Sequence, residues 1–208
     1  LYNTNYGSNE SIYNVNGVAG NTVTGRRSHY IVEDRVVKTT KYNFNTTLNS
    51  TISENVIFSA GITYQAQKNN YYKEVNDLLG GEFYADVNQF AERDFPTNPD
   101  AGQNDMNRPN RVLYKGDKFG YDYDINIKKG SAWLQGVFKF RKVDIFIATE
   151  NSFTNFFRKG NVRPGLFKDN SFGKSTTHSF FNSSIKGGIT YKIDGRNYIF
   201  ANGSYASR

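Results

Sequence analysis

The 208-residue chain has no cysteine, four prolines, two histidines, one methionine and one tryptophan. Without cysteine there is neither a disulfide scaffold nor a thiolate metal site, although this assigns the chain to no compartment. No apolar run approaches the ~20 residues that a membrane helix needs; the densest are as short as Ile145-Phe146-Ile147-Ala148. No charged-then-apolar leader precedes the first strand, the chain starts at Leu1, and its end, "YIFANGSYASR", reads as a strand cut before its turn. The start fits a mature product or an internal piece, and the end predicts a fragment of a longer protein.

What is abundant is aromatic and polar. Seventeen Phe and 15 Tyr, with many Asn and Thr, form the palette of strands and polar turns rather than of helices. The net charge of +7 raises nucleic acid as a partner. The basic residues are spread along the chain, however; their tight clusters, such as Arg26-Arg27, Lys128-Lys129 and Arg141-Lys142, are pairs and not a stripe, and no nucleic-acid motif accompanies them. The reading is therefore no nucleic acid.

Alternation of period two recurs along the chain. In "KYNFNTTLNSTI", Tyr42, Phe44, Leu48 and Ile52 share one face; in "NVIFSAGITYQAQ", Val56, Phe58, Ile62 and Tyr64 do. A turn at 53–55 sets Ile52 opposite Val56 and Phe44 opposite Tyr64, so the apolar faces coincide. A turn at Arg141-Lys142 likewise sets Phe140 opposite Val143 and Phe138 opposite Ile145. Lys118 to Phe140 reads as one long strand with a bulge or a change of environment near Lys128-Lys129-Gly130, because Tyr121 and Tyr123 have the opposite parity to Phe138 and Phe140. In "GGITYKIDGRNYIFANG", Asp194-Gly195 suits a two-residue type I′ turn, which would pair Ile193 with Arg196, Tyr191 with Tyr198 and Ile189 with Phe200.

Short and long connections alternate. The turns at 53–55, 141–142 and 194–195 are minimal, whereas 3–35, 69–117 and 158–177 are long. A soluble sandwich has no reason to keep its short loops at one end of the strands. An outer-membrane barrel does, with short periplasmic turns, long extracellular loops, an apolar band facing lipid and a polar lumen. The expected fold is an all-β, antiparallel transmembrane barrel segment of about six strands. Tyr42, Tyr64, Phe140, Tyr191 and Tyr198 would supply interfacial aromatics.

The strings "NDLLGGEFYADVNQFAERDFP", "NDMNRPNRVLYKGDKFGYDYDINI" and "GLFKDNSFGKS", followed by "IKGGITYKIDGRNYIFANG", resemble the barrel portion of TonB-dependent outer-membrane receptors of the Bacteroidetes type, the group that includes SusC-like transporters. The resemblance runs over most of the chain. It implies a plugged barrel of 22 strands, of which this piece is about a quarter. It further implies nutrient import driven by the TonB energy-coupling complex through a missing N-terminal region, outer-membrane lipid as a partner, and a surface lipoprotein as a possible lid. Neither plug nor TonB box is present, and Arg208 departs from the terminal aromatic of such barrels. Two alternatives stand beside this: a soluble extracellular β-sheet module that binds glycans or acts as an adhesin, and a small self-contained outer-membrane barrel.

For chemistry the sequence offers little. His29 and His178 are the only histidines, and no Ser, His and carboxylate fall into a motif, so no enzyme activity is expected. Asp77, Glu82, Asp86, Glu92, Asp94, Asp100 and Asp105 crowd the longest loop without the ligand spacing of a calcium loop. No metal or other cofactor is expected. Tyr71, Tyr72 and Tyr84 beside amides and charges suit a sugar or a peptide, and Arg93, Arg108 and Arg111 pair within the loop or, failing that, meet an anionic substrate.

Overall fold

A computed structural model describes residues 5–207. The chain is all-β. Its strands are β1 (Glu10–Ile12), β2 (Val23–Gly25), β3 (Val32–Ser53), β4 (Val56–Asp77), β5 (Tyr84–Ala85), β6 (Val112–Leu113), β7 (Lys118–Lys139), β8 (Val143–Gly160), β9 (Gly173–Lys174), β10 (His178–Lys192) and β11 (Tyr198–Ala206). One short helix, α1 (Gln89–Asp94), interrupts them. The large antiparallel sheet has the order β11-β10-β8-β7-β4-β3, with β9 added to β8, and it is not closed: β3 and β11 are free edges.

The residues fall into two compact units. One comprises 41–67, 127–156 and the chain from 177 onward, and is purely strands. Its registers follow from the hydrophobic alternation. Side-chain hydrogen bonding of Ser59 Oγ to Asn49 Oδ1 (2.7 Å) puts these polar residues on one face of β3 and β4, which leaves Phe44, Leu48, Ile52, Phe58 and Ile62 on the other. The amide of Phe140 donates to Val143 O at 2.8 Å, closing the tight β7–β8 turn as the sequence predicts. Ile145 then lies opposite Ile189, Ile147 opposite Gly187 and Val143 opposite Tyr191. One face of this unit is thus aliphatic and aromatic with nothing packed on it among the described residues; Ile52 is 67% exposed, Ile147 49% and Ile185 50%.

The β10–β11 hairpin departs from expectation. Tyr191 pairs with Ile199, Thr190 with Phe200 and Lys192 with Tyr198, one position off the register of a two-residue turn. Neither Asp194 nor Gly195 is among the described residues with positive φ, so the turn is not type I′. Instead the Asp194 carboxylate organises the loop: Oδ1 accepts from the amides of Arg196 and Asn197 and Oδ2 from Asn197 Nδ2, each at 2.8 Å. The slip turns Tyr198 and Phe200 to the face of Thr190 and Lys192, and brings Ile199 and Tyr205 onto the apolar face.

The other unit comprises the chain up to 40, 68–126 and 157–176. Here the long connections expected as extracellular loops carry β1, β2, β5, α1, β6 and β9 and a small core. Val15, Phe83 and Val112 form one buried cluster; Val75, Leu113 and Phe119 form another, joined by Ile31, Leu78 and Tyr84. Segments distant in sequence are stitched by backbone bonds, Ser28 N to Phe83 O and Glu82 N to Arg26 O, both 2.7 Å. β7 is one strand, as anticipated. No bulge is needed to explain its aromatics: Phe119 packs into this core, whereas Phe140 belongs to the bare apolar face of the other unit, so the parity changes with what the side chains meet.

Candidate functional site

The loop-bearing unit holds a cavity of about 440 Å³. Tyr84, Phe90, Phe119, Tyr121 and Phe167 supply aromatic wall, and Asn88, Gln89, Gln103 and Asn104 supply amides. Its one internal ion pair joins Lys73 on β4 to Glu33 on β3 at 2.9 Å. These two residues meet because β3 and β4 are neighbours in the sheet.

Each part is positioned by local chemistry. Asn88 caps α1, accepting from Ala91 N at 3.1 Å, and so fixes where Gln89 and Phe90 start. Asn104 is held by Asp86, its Nδ2 donating to Oδ1 at 2.9 Å, and the same oxygen accepts from Gly120 N at 3.2 Å. Asp86 is buried, and burial, joined by the Asp105 charge, raises its carboxyl above the ordinary carboxylate value despite those bonds and the nearby Arg111. Tyr84 packs edge-on to Phe119 at 6.0 Å, and burial pushes its phenol up against the opposing effect of Arg27.

Beside the cavity an aromatic row continues along the strands. Tyr71 stacks on Tyr123 at 5.1 Å, Tyr121 leans on Tyr123 at 5.9 Å, and the Arg158 guanidinium lies 4.8 Å from the Tyr123 ring. Lys73 sits over both Phe119 and Tyr121. The arrangement offers flat apolar faces, amides that both donate and accept, and fixed cations. That is the equipment of a binding cleft.

The six residues singled out from the sequence are dispersed. Tyr84 lines the cavity. Tyr71 and Tyr72 lie on β4 rather than in a loop, because that strand runs on to Asp77. Tyr71 belongs to the aromatic row, whereas Tyr72 lies under the Lys118 ammonium at 3.7 Å. Arg93 bonds Asp94 at 2.8 Å and covers Phe90; Arg108 bonds Asp105 at 3.0 Å. Arg111 is 13% exposed, donates to Lys118 O at 2.7 Å and stands 3.7 Å from Asp86. Sequence reading missed Glu33, Lys73, Gln103 and Phe167, for which no local signal exists.

Three more acidic residues of the long segment have partners: Asp77 accepts from Leu79 N, Glu82 pairs with Arg26 and Asp100 with Lys168. Among the described residues no three of His, Cys, Asp or Glu gather as a metal site requires. His29 stands 3.3 Å from Glu10, and His178 packs against Phe156 at 5.4 Å. No described helix is long and apolar enough to cross a membrane, which says nothing of crossing by strands. In comparison with known proteins, the chain matches no family model, no curated protein and no solved structure.

Proposed function

We propose that this chain is wall and extracellular loop of a TonB-dependent transporter in the bacterial outer membrane, part of a plugged β-barrel that imports a nutrient. The observation that carries the reading is the bare apolar face of the strand-only unit. Phe44, Leu48, Ile52, Ile62, Leu134, Ile145, Ile147, Ile185 and Ile189 are all exposed. A water-soluble monomer rarely leaves so contiguous an apolar surface uncovered. Lipid is the solvent that makes it favourable.

Three further features support the same reading. Strands β3, β4 and β7 of 22 residues exceed the ~9 to 11 that a membrane-crossing strand needs. The connections at 54–55, 141–142 and 193–197 are tight, whereas those carrying α1 and β9 are long and folded. Finally, the edges of β3 and β11 leave backbone groups unpaired, which lipid does not tolerate, so further strands would have to complete the wall. In this reading the cavity-bearing unit faces outward to receive the nutrient, and a plug drawn by the TonB complex opens the path. A surface lipoprotein would meet the same loops.

The test is extraction. The protein should leave its source membranes only in detergent, with a mass several times the 23.6 kDa of this segment. A folded, monodisperse species of 23.6 kDa without detergent would overturn the proposal in favour of a soluble extracellular module. The same mass stable only in detergent would leave a small self-contained barrel.

A further inference from the structure

We infer that the strand face turned away from the core of the loop-bearing unit binds the phosphate groups of a phosphorylated lipid, with Lys159 and Lys174 as the principal contacts. This rests on the reading of the chain as membrane wall. The starting observation is a charge conflict. β9 pairs with β8 so that Lys159 and Lys174 stand directly opposite one another. Like charges directly opposed across strands are destabilising unless something of the other sign joins them.

The neighbouring carboxylates do not resolve the conflict. Asn161 N donates to Asp122 O at 2.9 Å, and antiparallel pairing then brings Asp124 level with Lys159. Asp124 is buried, and its Oδ2 is committed to Lys68 at 3.0 Å. Asp122 is taken by Lys118 at 3.4 Å. Among the described residues neither Lys159 nor Lys174 has a carboxylate within ion-pair reach, and both are exposed. The face therefore keeps two uncompensated cations side by side.

Their setting is that of a headgroup boundary. The Lys174 ammonium lies 4.4 Å from the centre of the Phe157 ring, and that of Lys118 lies 3.7 Å from Tyr72. Alternate positions along β8 run Ile145, Ile147, Thr149, Asn151, Phe153, Asn155, Phe157 and Lys159. Along β4 they run Val56, Phe58, Ala60, Ile62, Tyr64, Ala66, Lys68, Asn70 and Tyr72. On both strands the aliphatic residues lie at one end and the lysines toward the other, with Thr149, Asn151, Asn155 and Asn70 interspersed and aromatics flanking the cations, as where a lipid-facing strand enters the phosphate layer.

The experiment uses the detergent-extracted protein in mixed micelles with phosphatidic acid or with phosphatidylcholine, bound lipid being counted by native mass spectrometry. Phosphatidic acid should be retained preferentially. The K159E/K174E variant should lose about thirty-fold or more of its affinity, two membrane-surface lysines at about fivefold each. K159R/K174R should retain it, which separates charge from folding. Equal retention of the two lipids, or indifference to charge reversal, overturns the inference. So does full competition by inorganic phosphate alone, which would mark a soluble-anion site. A protein that needs no detergent instead overturns the membrane reading itself, so the two failures are distinct.

Discussion

Trp133 lies flat across Gly61: a Cβ built on Gly61 would come within 2.6 Å of indole Cε2 and 2.8 Å of Cζ2. The sole tryptophan therefore sits on the polar face of β7 because its neighbour on β4 has no side chain. Phe146 uses Gly188 on β10 in the same way. Gly61→Ala must push the ring off this bed, and overpacking of this kind costs about 1 to 3 kcal/mol. Urea unfolding followed by Trp133 fluorescence should show a lower midpoint together with a red-shifted folded spectrum. An unchanged midpoint and spectrum would mean that the ring does not rest there.

The Asp194 turn makes a prediction about pH. Hydrogen bonds from the Asn197 side chain and from the Arg196 and Asn197 amides hold the Asp194 carboxyl below its ordinary value. Its contribution is therefore fully present above the ordinary carboxylate range and is lost as pH falls through the folded value. The Arg196 and Asn197 amide resonances should move in step with that titration, and in Asp194→Ala they should no longer follow it. Titration at the ordinary value would contradict the turn as described.

Asp86 should behave with the opposite sign. Burial raises its folded value, so its contribution is fully present below the ordinary carboxylate value and is lost as pH rises through the raised one. Thermal unfolding of the native chain should accordingly lose stability across that window. Asp86→Asn, which keeps an acceptor for Asn104 and Gly120, should flatten the loss. A native protein that instead gains stability with pH there, relative to the variant, would show that Arg111 dominates over burial.

What the sequence reveals here is what is local. Phe44, Leu48 and Ile52 alternate with asparagines and threonines, and that period alone defines a two-faced strand. The Arg141-Lys142 turn is read correctly because the alternation on both sides sets Phe140 opposite Val143, and the Phe140 amide donates to the Val143 carbonyl. The Asp194-Gly195 turn is misread because the dipeptide preference is outweighed by a carboxylate that bonds its own loop, and one residue of slip reverses a whole strand. Asn69 and Asn70 look like punctuation, yet Thr39 and Asp122 absorb their side chains and β4 continues. The cavity was illegible for a different reason. Glu33 and Lys73, or Gln103 and Phe167, meet only through strand pairing and loop packing, and neither leaves a trace in sequence spacing.

Phe90 and Phe119 line the same cavity but carry different loads, and the difference separates binding from folding. Phe119 is buried in a core cluster, so Phe119→Ala should cost about 3 to 5 kcal/mol and loosen the loops. Phe90 is 71% exposed on the helix whose cap is Asn88, so little apolar burial depends on it. If, as proposed, the chain belongs to an outer-membrane importer and the cavity receives its nutrient, Phe90→Ala should lower uptake at limiting nutrient while leaving membrane abundance and thermal stability unchanged. Growth on the transported nutrient, measured alongside the amount of protein in the outer membrane, reads both quantities at once. Normal uptake by Phe90→Ala would move the receiving surface away from this cavity and toward the Tyr71–Tyr123 stack, where Tyr71→Ala would be the variant to lose it.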